Sequence, residues 1–157
     1  MYANPLHPGH IECLELSKEL ADELWVIVNN DLQAKLKRGV ESFQDEQLRV
    51  RVVGALRPVD RVILSEDTDG SVCKTLEKVI KEAQAIEGVE EVIFTKGGDR
   101  FADEIPERQT LNKYNVKIVD GLGKKTHNSS SYIKRLANPE DEALFAKAIE
   151  QVPEAER

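Results

Sequence analysis

The chain is poor in the residues that several common chemistries require. It has two cysteines, Cys13 and Cys73, which lie far apart and match no metal-ligand or redox spacing. A reduced, cytoplasmic setting is the expectation that follows. It has no run of about 18 apolar residues, so no transmembrane helix and no membrane partner are expected. No basic segment followed by an apolar stretch opens it, so no signal peptide is expected either. The Asn128-Ser129-Ser130 triplet is then a chance match to a glycosylation acceptor. Positive charge is also scarce. Lys and Arg number 22 against 29 Asp and Glu, for a net charge of −7. That excludes a broad nucleic-acid surface, which needs a positive field. An anionic ligand must therefore be met by a local cluster of donors. Neither a P-loop nor a Gly-x-Gly-x-x-Gly turn is present, which weighs against kinase and dehydrogenase readings.

What is present is ordinary for a folded domain. The chain has 157 residues, 40% hydrophobic and 32% charged, enough for one compact core. Short apolar runs at 24–28, 61–64, 91–95 and 116–119 read as buried strands. Between them lie helical stripes: Ile11, Leu14, Leu20 and Ala21; then Leu48, Val52, Ala55 and Leu56; then Leu76, Val79, Ile80 and Ala83. A short helix is expected near 106–113, and closing helices near 130–136 and 139–148. Residues 33–39 read as a polar, Lys-rich loop. The fold class is α/β, a Rossmann-like doubly wound parallel sheet in one domain. Its expected extent is 1–138, with a C-terminal helix and frayed tail over 139–157.

In such sheets ligands bind beyond the carboxyl ends of the strands. That points to residues 2–10, 29–39, 95–100 and 120–131. One element is missing from the pattern. A sheet of this kind opens with a strand leading into the first loop, and only about two residues precede that loop here. Either the start is truncated or the sheet lacks a strand.

The first loop carries Asn4-Pro5-Leu6-His7-Pro8-Gly9-His10. Two imidazoles flank a Pro-Gly turn just before a helix, whose N-terminal amides suit phosphate. Gly9 lets backbone approach a ligand closely. The alternatives are a metal pair, which no further His or Cys cluster supports, and a purely structural cap. Lys35, Lys37 and Arg38 form a basic cluster in the second region, or a solvated face. Arg49 lies near a helix start. Thr95-Lys96-Gly97-Gly98-Asp99-Arg100 follows a strand, where glycines admit a flat ligand and Asp99 accepts hydrogen bonds. Lys124-Lys125-Thr126-His127-Asn128-Ser129-Ser130-Ser131 precedes a helix and offers a second phosphate cradle, or simple capping.

Taken in this order, from residue 2 to about 136, these segments resemble the nucleotidyltransferase superfamily with the His-x-Gly-His signature. Its members include cytidylyltransferases and adenylyltransferases. The resemblance implies one in-line transfer of a nucleotidyl group with Mg²⁺ and release of pyrophosphate. It implies catalytic roles for His7, His10 and Lys37. Nucleotide binding would fall to Ala3, Asn4, Gly9, Gly97, Asp99, Lys124, Ser129 and Ser130. Lys35 and Arg49 would meet the acceptor. The family usually has an aspartate where this chain has Asn4, and an apolar residue where it has Asn128. The substrates implied are CTP or ATP and a small phosphorylated or phosphonate metabolite, with CMP transfer slightly favoured. The Lys-Gly-Gly-Asp stretch leans instead toward adenylyltransferases of the heptose-phosphate type, and archaeal-type FMN adenylyltransferases carry similar signatures. Members commonly form homodimers. The alternative of another class is a non-catalytic nucleotide-binding domain.

Overall fold

The structure, a computed structural model, describes residues 1–97 and 105–123. The elements in order are α1 (Pro8–Lys18), β1 (Trp25–Val28), α2 (Asp31–Arg38), α3 (Glu46–Gly54) and β2 (Arg61–Leu64). There follow α4 (Cys73–Gln84), β3 (Ile93–Gly97), α5 (Arg108–Lys113) and β4 (Lys117–Leu122). This is the expected α/β alternation of parallel strands and helices. The expected closing helices near 130–136 and 139–148, and the domain boundary at 138, lie outside the described residues.

Among the described residues the strands form two parallel pairs instead of one sheet. β1 pairs with β2 in the register Trp25↔Arg61 to Val28↔Leu64. β3 pairs with β4 from Ile93↔Lys117, with an irregularity between Thr95 and Gly97. Each pair has its own apolar cluster. Leu14, Leu24, Val26, Val28 and Val53 bury together around the first. Leu76, Ile80, Ile105, Leu111 and Val116 do so around the second. Helix α1 crosses between them: Leu14 joins the first cluster, while the Ser17 hydroxyl donates to Thr95 Oγ1 of β3 at 2.9 Å.

Residues 33–39 are not the loop their polarity suggests. They belong to α2, and the helix has strong local causes. The Asn30 side chain accepts from the Gln33 amide at 2.9 Å, and the Gln33 side chain reaches back to the Asn30 amide at 3.2 Å. That reciprocal cap satisfies two donors at the helix start. Gly39 stops the helix at φ 75°, where a residue without Cβ is favoured. Asp31 sits in the first turn and Lys35, Lys37 and Arg38 in the last, each complementing the helix dipole.

Polar side chains fasten the loops that follow β1 and β2. Asn30 Nδ2 donates to the carbonyls of Ser65 and Asp67 at 2.9 and 2.8 Å. Gln33 Nε2 donates to the carbonyls of Asp69 and Ser71. Asp67 is buried and caps α4, accepting from the Lys74 and Thr75 amides at 2.8 and 3.0 Å. Burial would raise its carboxyl pKa, but these bonds and that from the Thr75 hydroxyl more than offset it and hold the group low.

Candidate active site

The first loop is anchored to β1 at one end and α1 at the other. Met1 N donates to the Ile27 carbonyl at 2.6 Å, and the Met1 carbonyl accepts from the Asn29 amide at 3.0 Å. Ala3 and Asn4 are buried, at 2% and 0% exposure, so their side chains support the loop from within. Asn4 Oδ1 accepts from the Gln44 amide at 3.1 Å, and its Nδ2 meets no acceptor among the described residues.

Arg49 completes the anchoring, and its position differs from that of an acceptor contact. Its side chain is fully buried. It donates to the carbonyls of Tyr2, Asn29 and Gln44 at 2.9, 2.6 and 3.0 Å. It also pairs with Asp31 at 2.7 Å. The guanidinium is spent on the backbone of the loop and of the segment after β1.

His7 is the N-cap residue of α1, and Pro8 occupies the first helical turn. The His7 amide donates to His10 Nδ1 at 3.3 Å. The two rings stack with centroids 3.7 Å apart and planes 25° from parallel. Burial, then the His7 ring, the Met1 amino group and Lys37, push the His10 pKa down to about 3. His10 is therefore neutral at physiological pH. Because Nδ1 accepts, the ring proton resides on Nε2, which makes that nitrogen a hydrogen-bond donor.

The α2 helix separates the two lysines. Residues two apart on a helix point to different sides. Lys37 stands over the Tyr2 ring, 4.0 Å from its centroid, and lines the same cleft as His7 and His10. Lys35 points away and pairs with Glu41 at 2.5 Å on the surface.

Gly97, at the end of β3, lies at the cleft too, but the close approach it permits is to protein. A Cβ there would stand 2.7 Å from Cys13 Sγ and 3.1 Å from the Leu122 carbonyl. Of the expected residues, His7, Gly9, His10, Lys37 and Gly97 are thus brought to one cleft of about 1320 Å³. Tyr2, Arg38 and Lys96 line it as well, and the sequence reading assigned them no role. Lys96 had a usable signal, its place at the carboxyl end of a strand. Asp99, Lys124, Ser129 and Ser130 lie outside the described residues.

The donors gathered here are imidazole N–H, ammonium and helix-terminal amide groups, which suit phosphate oxygens. No group of three His, Cys, Asp or Glu side chains suited to a metal ion occurs among the described residues. These residues thus offer no carboxylate cage for a hard cation. No described helix is long and apolar enough to cross a membrane.

With this geometry in view, similarity to known proteins is informative. Residues 3–136 match the family model described as cytidylyltransferase-like. The chain belongs to that family, and its chemistry is nucleotidyl transfer. Among its relatives, the FAD synthase of Archaeoglobus profundus is 47% identical over 138 residues, 85% of this chain and 80% of that protein. The FAD synthase of Thermoplasma acidophilum is 36% identical over 83% of this chain and 84% of that protein. The bifunctional protein HldE of Gluconobacter oxydans is 34% identical over 73% of this chain, which spans only 22% of HldE. A crystal structure of a lipopolysaccharide core biosynthesis protein from Thermoplasma volcanium is similar in fold. It superposes with TM-score 0.61 at 32% identity, covering 80% of this chain and 93% of that one.

Proposed function

We propose that this chain transfers AMP from ATP to the phosphate of FMN, forming FAD and pyrophosphate. The observation that carries this reading is the 47% identity to an FAD synthase over most of both chains. An FMN phosphate oxygen attacks the α-phosphorus of ATP. The bond from that phosphorus to the bridging oxygen breaks, and pyrophosphate leaves with the electron pair. His7 and His10, with the amide end of α1, would meet the α-phosphate and the leaving group. The neutral Nε2–H of His10 would strengthen its bond as charge develops there. Lys37 would hold the acceptor phosphate near the triphosphate. Asp99 would read the base or ribose, and Lys124, Ser129 and Ser130 the outer phosphates. Mg²⁺ would arrive with the triphosphate. A cytoplasmic setting agrees with the free thiols of Cys13 and Cys73.

The test is incubation with each nucleoside triphosphate and FMN, glycerol phosphate, ethanolamine phosphate or heptose phosphate, with Mg²⁺. Pyrophosphate release and FAD are both followed. FAD from ATP and FMN is expected, with a loss of roughly 10²–10³ in His10→Ala. Pyrophosphate release with CTP and another acceptor, without FAD, would replace the adenylyl reading by the cytidylyl one. No turnover with any pair, or equal turnover in His10→Ala, would overturn the mechanism.

A further inference from the structure

Tyr2 drew no role from the sequence, yet its backbone is firmly placed. Its carbonyl accepts from the Arg49 guanidinium at 2.9 Å. The next residue, Ala3, is 2% exposed and belongs to the first apolar cluster. Ala3 also has φ 47°, in the left-handed region that residues with a Cβ rarely enter. Such a conformation persists where its surroundings fix it. Here it turns the chain sharply between two residues with different destinations. Ala3 enters the core, while Tyr2 lines the cleft.

Lys37 is placed less well by its own element. Helix α2 fixes its backbone, since the helix is capped at Asn30 and stopped at Gly39. The ammonium lies at the end of a long flexible stem, on an exposed residue. A lysine of that kind has rotamer freedom that it must give up each time it holds an anion. The Tyr2 ring removes much of that freedom in advance. Its centroid lies 4.0 Å from Lys37 Nζ, well inside the reach of about 6 Å over which an aromatic face attracts a cation. The ring takes one side of the ammonium and leaves N–H donors on the other. The charge of Lys37 is also felt at His10, where it is one cause of the neutral imidazole. The seated ammonium thus stands within electrostatic reach of the ring that would meet the phosphates.

We propose that Tyr2 is a positioning residue for nucleotidyl transfer, whose ring seats the Lys37 ammonium in the cleft of His7 and His10 before an anionic substrate arrives. This rests on the reading of Lys37 as the contact for the acceptor phosphate. The first loop then carries both the imidazoles and the seat for the cation, so one anchored segment sets their mutual register. Without the ring, Lys37 would spread over rotamers, and binding would have to order it. Loss of a half-buried cation–π contact implies a fall of roughly three- to tenfold in acceptor affinity. The phosphate is held before and during transfer alike, so the loss should fall on KM and spare kcat.

The test compares Tyr2→Phe and Tyr2→Leu with the parent chain, each also in a Lys37→Met background. Pyrophosphate release is measured with varied acceptor at saturating triphosphate and Mg²⁺, below the unfolding transition of every variant. Tyr2→Leu should raise KM for the acceptor roughly three- to tenfold with kcat within about twofold, and Tyr2→Phe should restore the parent KM. In the Lys37→Met background the two Tyr2 variants should be indistinguishable, because the ring has no cation to seat. A Tyr2→Leu defect that lowers kcat as much, or that persists without Lys37, would overturn the proposal in favour of a structural role. Tyr2→Phe as poor as Tyr2→Leu would overturn it in favour of the hydroxyl. A second measurement needs no turnover. The Lys37 ε-methylene protons are followed by NMR and assigned by their loss in Lys37→Met. The ring current should move them upfield in the parent and in Tyr2→Phe, and Tyr2→Leu should return them to the ordinary lysine position. Titrated inorganic phosphate should shift them, with a Kd raised roughly three- to tenfold by Tyr2→Leu. Ordinary shifts in the parent would overturn the seat, and equal Kd values would overturn the positioning role. If no acceptor turns over, the proposed function falls, and the phosphate titration still decides the role of Tyr2.

Discussion

Replacing Arg49 with methionine separates a structural role from a substrate-binding one. The substitution keeps most of the volume and removes every hydrogen bond. The carbonyls of Tyr2, Asn29 and Gln44 lose their donor, and Asp31 loses its partner. A charge-assisted bond is worth about 1.5–3 kcal/mol, and removing one member of a buried pair costs about 3–5 kcal/mol in all. The Asp31 side chain is 34% exposed, so water recovers part of its loss. A destabilisation of about 3 kcal/mol is therefore expected, or a fall in Tm of roughly 10 °C for a chain this size. Urea and thermal unfolding measure it, with KM and kcat for pyrophosphate release taken well below the transition. Arg49→Lys should fall between, since one ammonium cannot span acceptors arranged for a planar fork. A variant with unchanged Tm and a raised KM would refute the reasoning and restore Arg49 to the substrate.

Gly97→Ala should destabilise by about 1–3 kcal/mol through its clash with Cys13 Sγ, and Cys13→Ala in the same chain should recover part of that by chemical denaturation. A Gly97→Ala chain as stable as the parent would show that the strand end can yield. Asp67→Ala should cost about 2–3 kcal/mol, because it strips the Lys74 and Thr75 amides of their acceptor inside the fold, and unfolding midpoints measure it. Stability should also fall with acid. His10 has its pKa lowered from 6.5 to about 3, so below 6.5 the unfolded chain binds a proton the folded one refuses. The contribution is full above pH 6.5 and is lost progressively down to about 3, with a limiting slope of about 1.4 kcal/mol per pH unit, less what partial exposure restores. Urea midpoints between pH 7 and 5 should fall less steeply in His10→Asn, and profiles of equal steepness would contradict the assignment.

The alternation of strands and helices was legible because each apolar run is short and bounded by polar turns. The Trp25 and Arg61 runs fall within a residue of the observed strands. The third and fourth strands extend further, to Gly97 and Leu122, because pairing between β3 and β4 carries backbone past the apolar residues. Helix α2 was hidden by its composition: polarity suggested a loop, although Asn30, Gln33 and Gly39 together spell a capped helix. Its consequence for the site is large, since Lys35 and Lys37 are near neighbours in sequence and face opposite ways in space. Arg49 shows the opposite limit. Nothing in Asp45-Glu46-Gln47-Leu48-Arg49 distinguishes a surface charge from a buried tie, because the carbonyls it binds come from residues 2, 29 and 44.

Those same carbonyls tie the placement of the histidines to the first sheet. The loop from Met1 to His7 is held by a backbone rung on β1, by Arg49 at Tyr2 and by the buried Asn4 amide at Gln44. Each anchor attaches it to the first sheet and its flanking segments. Among the described residues the second sheet reaches it through α1, by way of Ser17 on Thr95 and Cys13 against Gly97. Any shift of one sheet relative to the other is therefore felt at the junction of loop and helix, where His7 and His10 stack. Placement of the imidazole donors to a few tenths of an ångström, which transition-state stabilisation demands, thus depends on backbone pairing several residues away from either ring.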